Sequence, residues 1–393
     1  MTEGGRTATG GWEQPPHPGG RRRWALKAVV ALLVVGVGVA LLPRDAPTNL
    51  SVGQTEAPPG ATLTGTVDPG DFVQQRLEPV RTTTERPGSG TLLPGAPVDL
   101  TIIAADDNGL HLLDTETGDL RRIAVRRPTP AALSETLFVV GGDIVVDADS
   151  DVVVVHRSAA RPTRIAAGHR AVPTIDDSSV WVFDHATPFV TGTASRIGLD
   201  GTVHAQVQLP AIAEPLLGTA DALVVGTPGA VTLVGADGER RLVASGMAVA
   251  TDGWRLAWLH CTDDLSCAVN IGTVDDPEQV RTTLDPAVLP AGFFGLPTGT
   301  FSPDGRWLAL PLYESNRGLE DVTVSVIDTS TGAEAFRAQG SSRTPFDTPL
   351  AWSPDSAWLV FMSGSQLRAW HAGDGRATTI DVDLLGIRAL AIR

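Results

Sequence analysis

Lysine is nearly missing from this chain: its 393 residues contain one, Lys27. Schiff-base and lysine-nucleophile chemistry is therefore excluded from everything beyond the N-terminal segment. Cysteine is almost as scarce, with Cys261 and Cys267 the whole complement. No cysteine lies near the end of the single long apolar run, which argues against a lipid-modified N-terminus. A zinc site lacks donors as well, because His260 adds one neighbouring ligand to the two cysteines and no fourth is evident. The G-x-S-x-G elbow of the α/β-hydrolases does not occur. Positive charge is short too. The formal net charge is −15, and residues 1–44 hold six basic and two acidic residues, a net of +4 that leaves −19 for the rest. An acidic body of that kind repels nucleic acid and anionic lipid, so no nucleic-acid partner is expected.

Glycine and proline are plentiful, 42 and 29 residues, and 42% of the chain is hydrophobic. That combination suits many short strands joined by tight turns. The chain opens differently. Residues 1–20 are polar and Gly/Pro-rich without periodicity, and a disordered cytoplasmic tail is expected there. Arg21, Arg22, Arg23 and Lys27 then precede an unbroken apolar run, Ala28 to Leu42. Counted from Trp24, with Lys27 reaching to the interface, the helix would be about 28 Å long and would span a bilayer. The excess of basic residues before it orients the N-terminus to the cytoplasm. Residues 21–43 are thus read as a single-pass signal anchor with the bulk of the chain outside the cell membrane. Two alternatives stay open. Gly38-Val39-Ala40 offers small residues for signal cleavage and secretion, and Arg22 to Lys27 resembles a twin-arginine export signal. Residues 44–97, rich in Pro, Gly and Thr, are expected to form an extended stalk.

From residue 98 onward the sequence repeats. FSPDGRWLAL, Phe301 to Leu310, recurs as WSPDSAWLVF, Trp352 to Phe361, 51 residues later. Each copy reads strand, tight turn, strand, with Pro303 pre-setting φ and Asp304-Gly305 at the tip. A second turn family appears at Leu113 (LDTETGDL), Leu199 (LDGTV), Ala236 (ADGER), Ile327 (IDTSTGAE) and Gly373 (GDGRA), each between two apolar runs. Together they define units of four strands, A to D, whose A strands start near Leu137, Ala171, Pro215, Met247, Gly299 and Pro349. The spacing averages about 42 residues, the length of one propeller blade. The first unit supplies only B to D (LTIIAAD, GLHLLD, DLRRIAV), and the chain ends in one orphan strand, Ile387 to Arg393. These two defects complete each other. The expected fold class is all-β, a seven-bladed β-propeller over residues 98–393 closed by strand 387–393 and preceded by one transmembrane helix. Six or eight blades would also fit the divergent units.

The SPDG turn followed by an apolar strand, at Ser302 to Leu310 and Ser353 to Phe361 with a partial copy at Thr251 (TDGWRLAWL), resembles the propeller repeats of the WD40-like and TolB-like groups. The remaining units diverge and carry no Trp-Asp signature dipeptide. The resemblance implies a scaffold or interaction role, although a fold does not fix a function.

Few residues suggest chemistry. Cys261 and Cys267 stand at the two ends of a B–C hairpin loop, and in an exported domain they are expected to form a disulfide. Asp147, Asp149 and Asp151 look like the start of a calcium loop. Val152 occupies the position that needs Gly, and no Glu follows at the twelfth, so they are read as a polar hairpin tip. The eight histidines (17, 111, 156, 169, 185, 204, 260 and 371) show no metal-ligand spacing and are expected mostly in solvated loops or strand edges. No catalytic set, metal or cofactor is expected. Long loops are where a propeller carries function. The apolar loop Leu284 to Gly299 holds Phe293 and Phe294 in a chain with 5% aromatics. These two, with Tyr313, are the candidate anchors for a protein partner in the cell envelope. The functional expectation is a membrane-anchored, extracytoplasmic interaction or scaffold module. The alternatives are a lactonase- or glycosidase-like propeller enzyme and a small-ligand sensor, either using the central channel.

Overall fold

The computed structural model describes residues 82–106, 109–125, 136–148, 151–157, 162–184, 191–219, 221–227, 229–262, 267–276, 280–284, 289, 299–313, 322–340 and 348–393. The expected tail, membrane anchor and first part of the stalk lie outside the described residues. Among the described residues, no helix is long and apolar enough to cross a membrane.

Antiparallel strands form seven sheets. The first contains β1 (Thr82–Arg86), β2 (Thr101–Asp106), β3 (Gly109–Asp114) and β4 (Leu120–Ala124). The second holds β5 (Leu137–Val140), β6 (Asp143–Ala148), β7 (Asp151–Val155) and β8 (Pro162–Ala167). The third holds β9 (Arg170–Pro173), β10 (Ser179–Phe183), β11 (Gly192–Gly198) and β12 (Val203–Leu209), and the fourth β13 (Glu214–Gly218), β14 (Ala222–Thr227), β15 (Ala230–Gly235) and β16 (Arg240–Ser245). The fifth holds β17 (Met247–Thr251), β18 (Arg255–Cys261), β19 (Cys267–Thr273) and β20 (Thr282–Thr283). The sixth holds β21 (Thr300–Phe301), β22 (Trp307–Tyr313), β23 (Val322–Asp328) and β24 (Glu334–Gln339). The seventh holds β25 (Leu350–Trp352), β26 (Trp358–Ser363), β27 (Gln366–His371) and β28 (Ala377–Asp383). The last strand, β29 (Ala389–Ile392), returns to pair with β2, Ile102 opposite Ile392 and Ala105 opposite Ala389. The inner strands are neighbours all the way round, β29 to β5, β9, β13, β17, β21, β25 and back to β29. The fold is a seven-bladed β-propeller closed by its C-terminal strand, as the incomplete first unit implied.

Seven hydrophobic clusters hold the ring, and each straddles two blades. In β2, Ile102 and Ala104 pack toward the seventh blade while Ile103 and Ala105 pack toward the second. In β7, Val153 and Val155 face the first blade and Val152 and Val154 the third. Successive side chains of a strand point to opposite faces, and here both faces are covered. That is why the inner and middle strands read as unbroken apolar runs such as Val152 to Val155. It also means that no blade owns a core, so the blades are stable only as neighbours.

One boundary moves. The stalk was expected to reach residue 97, yet β1 pairs with β4 as a fifth, outermost strand of the first blade. The chain then crosses to the seventh blade, where the Asp381 N–H donates to the Pro94 carbonyl and the Thr378 hydroxyl to the Gly95 carbonyl. Leu93 is 2% exposed within the core cluster shared by these two blades. Residues 82–97 are therefore a strap over the junction where the ring closes, and only residues 44–81 of the expected stalk lie outside the described residues.

A candidate interaction face and the floor opposite it

In an antiparallel meander the A–B and C–D connections emerge at one end of every blade and the B–C and D–A connections at the other. The two ends differ in this protein. At the A–B end the turns are short and bonded to one another. Ser302 and Ser353, both fully buried, each fix such a turn. The Ser302 hydroxyl donates to Asp304 (2.6 Å) and accepts the Trp307 N–H (3.0 Å), and Ser353 repeats this with Asp355 and Trp358. Gly305 takes the left-handed position at φ +71°, and Ser356 takes it at +64° in the seventh blade. The third blade uses the same device at Thr174 to Ser179. The Thr174 hydroxyl bonds Asp176 and the Ser179 carbonyl, and Asp177 sits at φ +50°. Sequence reading missed this copy because TIDDS contains neither Pro nor Gly. The signal that finds it is Ser/Thr-x-Asp ahead of an apolar strand.

These turns are also joined across blade boundaries. The Ile175 N–H donates to the Gly218 carbonyl, linking the third and fourth blades. A Cβ on Gly253 would come within 2.3 Å of Ile175 Cγ2, so the fifth-blade turn is seated against the third. Arg255 pairs with Asp252 (2.7 Å) and donates to the Asp304 carbonyl in the sixth blade (2.9 Å). The Asp304 N–H donates to the Ser356 hydroxyl in the seventh (2.9 Å), and Arg393 reaches the Gly142 carbonyl in the second. The result is a knitted floor. Its carboxylates are shifted by these bonds: the Ser353 hydroxyl holds the Asp355 carboxyl below its ordinary range, and Ser330 does the same for Asp328. Burial, followed by the neighbouring charge of Asp176, pushes Asp177 up.

The opposite end carries the long connections. The loop with Phe293 and Phe294 joins the fifth blade to the sixth there, and both residues lie outside the described ones. Tyr313 ends β22 at the same end, and its side chain is likewise outside what is described. Cys261 and Cys267 are opposed at the mouth of the β18–β19 hairpin and form the expected disulfide. His260 Nδ1 donates to the Ser245 carbonyl (3.3 Å), tying that hairpin to the preceding connection. At the rim of the channel, Arg170 at the start of β9 pairs with Glu214 at the start of β13 (2.5 Å) and donates to the Pro215 carbonyl. Two residues before Glu214, Ile212 is 46% exposed at φ +66°, a conformation that β-branched side chains avoid. Among the described residues, strand direction places the end of β22 at Tyr313, the two cysteines and Ile212 at one end of the ring. Nothing in the sequence marked Ile212, since its exposure follows from a connection too short to fold it inward.

Other expectations sort as follows. The β6–β7 tip holds Asp147 and Asp151, and Asp151 pairs with Arg164 (2.7 Å), while Asp149 lies outside the described residues. Among the described residues, no group of three His, Cys, Asp or Glu side chains is arranged to hold a metal ion. His111 is a correction. It was expected in solvent, but it is 8% exposed, with Nδ1 on Glu85 (3.0 Å) and Nε2 on Asp106 (3.3 Å). Burial against two carboxylates was invisible in the sequence because Glu85 comes from the strap.

No family model matches this sequence, and no curated protein sequence matches it. Solved structures do. The chain is similar to the β-propeller domain of the trilobed protease from Pyrococcus furiosus, with TM-score 0.50, 12% identity, and 80% of this chain and 98% of that one covered. It is similar to TolB from Acinetobacter baumannii (TM-score 0.43, 11% identity, 80% and 99% covered). A functionally unknown protein from Desulfotomaculum acetoxidans is also similar (TM-score 0.47, 13% identity, 74% and 98% covered). At 12% identity the first of these likenesses shows the β-propeller fold and nothing finer.

Proposed function

We propose that the protein is a membrane-anchored, extracytoplasmic interaction module that binds a protein partner of the cell envelope through the B–C and D–A end of its propeller. The observation that carries this reading is the asymmetry of the ring: one end is a bonded floor, and the other gathers the long connections, the disulfide and an exposed Ile212. A rigid scaffold that presents adaptable loops is the common physical arrangement of a binding surface. The basic block and apolar run of residues 21–43 support the anchor, and the disulfide supports an oxidising location.

The test is photo-crosslinking in intact cells of the source organism, with the crosslinker at Ile212 or Phe293, and at Asp200 on the floor as reference. A partner captured from the first two positions and not from the third is expected. Equal capture from all three would remove the loop end from the account, and recovery of the protein from the soluble cytosol would remove the exported location.

A further inference from the structure

Trp254 is the one described tryptophan that stands in solvent. Trp181, Trp258, Trp307, Trp352 and Trp370 are at most 8% exposed, whereas Trp254 is 65% exposed. Its backbone is nonetheless fixed. The Trp254 N–H donates to Asp252 Oδ1 (2.9 Å), and its carbonyl accepts the Val274 N–H (3.0 Å). It sits on the floor, at the turn position that the sixth blade gives to Arg306. An exposed tryptophan on an ordered backbone is the residue type that most often anchors a protein interface.

A groove of about 420 Å³ lies on the adjoining fourth blade, at the same end. Leu233, Asp221, Asp237, Glu239 and Arg241 are among its lining residues. Arg241 donates to the carbonyls of Val274 and Asp275 (3.3 Å each), so the groove and Trp254 are joined through Val274. Asp275 is 84% exposed and 3.8 Å from Arg241. The surface therefore combines one aromatic ring and four carboxylates with a single guanidinium.

We propose that this surface docks a protein segment bearing arginine or lysine, with one cationic head group over the Trp254 ring and its neighbours facing Asp221, Glu239 and Asp275. A cation is drawn to the face of an indole, and the carboxylates add complementary potential. An apolar segment would leave those carboxylates desolvated without partners, and an acidic one would be repelled. A second copy would bring the same acidic floor against this one. The surface is at the opposite end from the loops, so its failure leaves the proposed function standing, and the reverse holds too.

The probe is a fluorescein-labelled peptide, Ser-Gly-Arg-Gly-Arg-Gly-Ser, titrated by anisotropy into the detergent-solubilised full chain, with glutamate and leucine counterparts. The arginine peptide is expected to bind and the counterparts not. Trp254→Ala should weaken binding about tenfold and Trp254→Phe about threefold. Asp221→Asn with Glu239→Gln should weaken it about tenfold and flatten its salt dependence. Asp200→Asn with Asp328→Asn, elsewhere on the same end, should change it less than about twofold. Because Trp254 is exposed, its variants should melt with the parent, which keeps the comparison valid. Undiminished binding by Trp254→Ala overturns the proposal, as does absence of binding or equal binding of either counterpart. A concentration-dependent dimer lost in Trp254→Ala would assign the surface to a second copy and overturn it as well.

Discussion

The two ends of this propeller are built from the same strands and answer to different rules. At the A–B end, the turns of the third, sixth and seventh blades close on a Ser/Thr–Asp bond, and bonds run on between blades, Arg255 to Asp304 and Asp304 to Ser356. At the other end the connections vary in length, and among the described residues His260 at Ser245 and Arg170 at Glu214 join neighbouring segments. The difference is one of span: an A–B turn joins neighbouring strands of one blade, whereas a D–A connection carries the chain from the outer edge of one blade to the inner strand of the next.

The largest effect should come from the strand both ends share. Deleting residues 387–393 removes β29 from the first blade and takes Leu390, Ala391 and Ile392 from two interblade clusters. Since no blade has a private core, the truncated chain should show no cooperative thermal transition. A melt matching the parent would mean that closure is not what holds the ring.

Next is a matched pair of glycines. Both Gly305 on the floor and Gly364 in the β26–β27 turn have positive φ, +71° and +61°. A Cβ at Gly305 would lie 1.4 Å from Arg255 Nη1, while one at Gly364 meets nothing within 4 Å. Gly364→Ala should cost about 1 kcal/mol for the left-handed backbone, and Gly305→Ala about 3 kcal/mol because the Arg255 link must also give way. Equal urea midpoints for the two variants would erase the distinction between the ends.

A smaller loss is expected from the disulfide. Replacing Cys261 and Cys267 by serine should cost about 2 kcal/mol on the chain-entropy account. Hydrogen exchange should speed up in the β18–β19 hairpin tip and leave the floor turns protected. Loss of protection at Ser302 or Ser353 would show the ends to be coupled.

The smallest effect is a pH dependence confined to the floor. Asp355 and Asp328 have folded pKa values below the unfolded value of about 3.9, so their contribution is complete above that value. It is lost as pH falls through the depressed folded values. Asp355→Asn with Asp328→Asn should lower the urea midpoint at pH 7 and shrink its fall between about pH 5 and pH 2. An unchanged acid slope would mean that these turn bonds contribute no stability.

Much of the fold was legible because turn chemistry is local. SPDG at Ser302, the five Asp/Gly turns and the orphan strand at Ile387 each announce themselves within a few residues, and every one of those turns joins the strands expected of it. The third-blade turn was missed because Asp177 does what Gly305 does without being glycine. The strap was missed because β1 is polar: its place depends on an open edge at β4, which lies far along the chain. The candidate face was half legible. Phe293, Phe294, Tyr313 and the cysteines could be named one by one, but that β22 and the β18–β19 hairpin end on one side follows from strand direction summed over seven blades.

By itself the sequence determined the all-β class, the period, the closing partner and the disulfide, because these rest on side-chain alternation and backbone preferences that act over short spans. Only the tertiary structure decided which residues share an end, that His111 is buried between Glu85 and Asp106, and that Trp254 is left uncovered. Those outcomes depend on which blade stands beside which, and on how much surface each neighbour has left to bury.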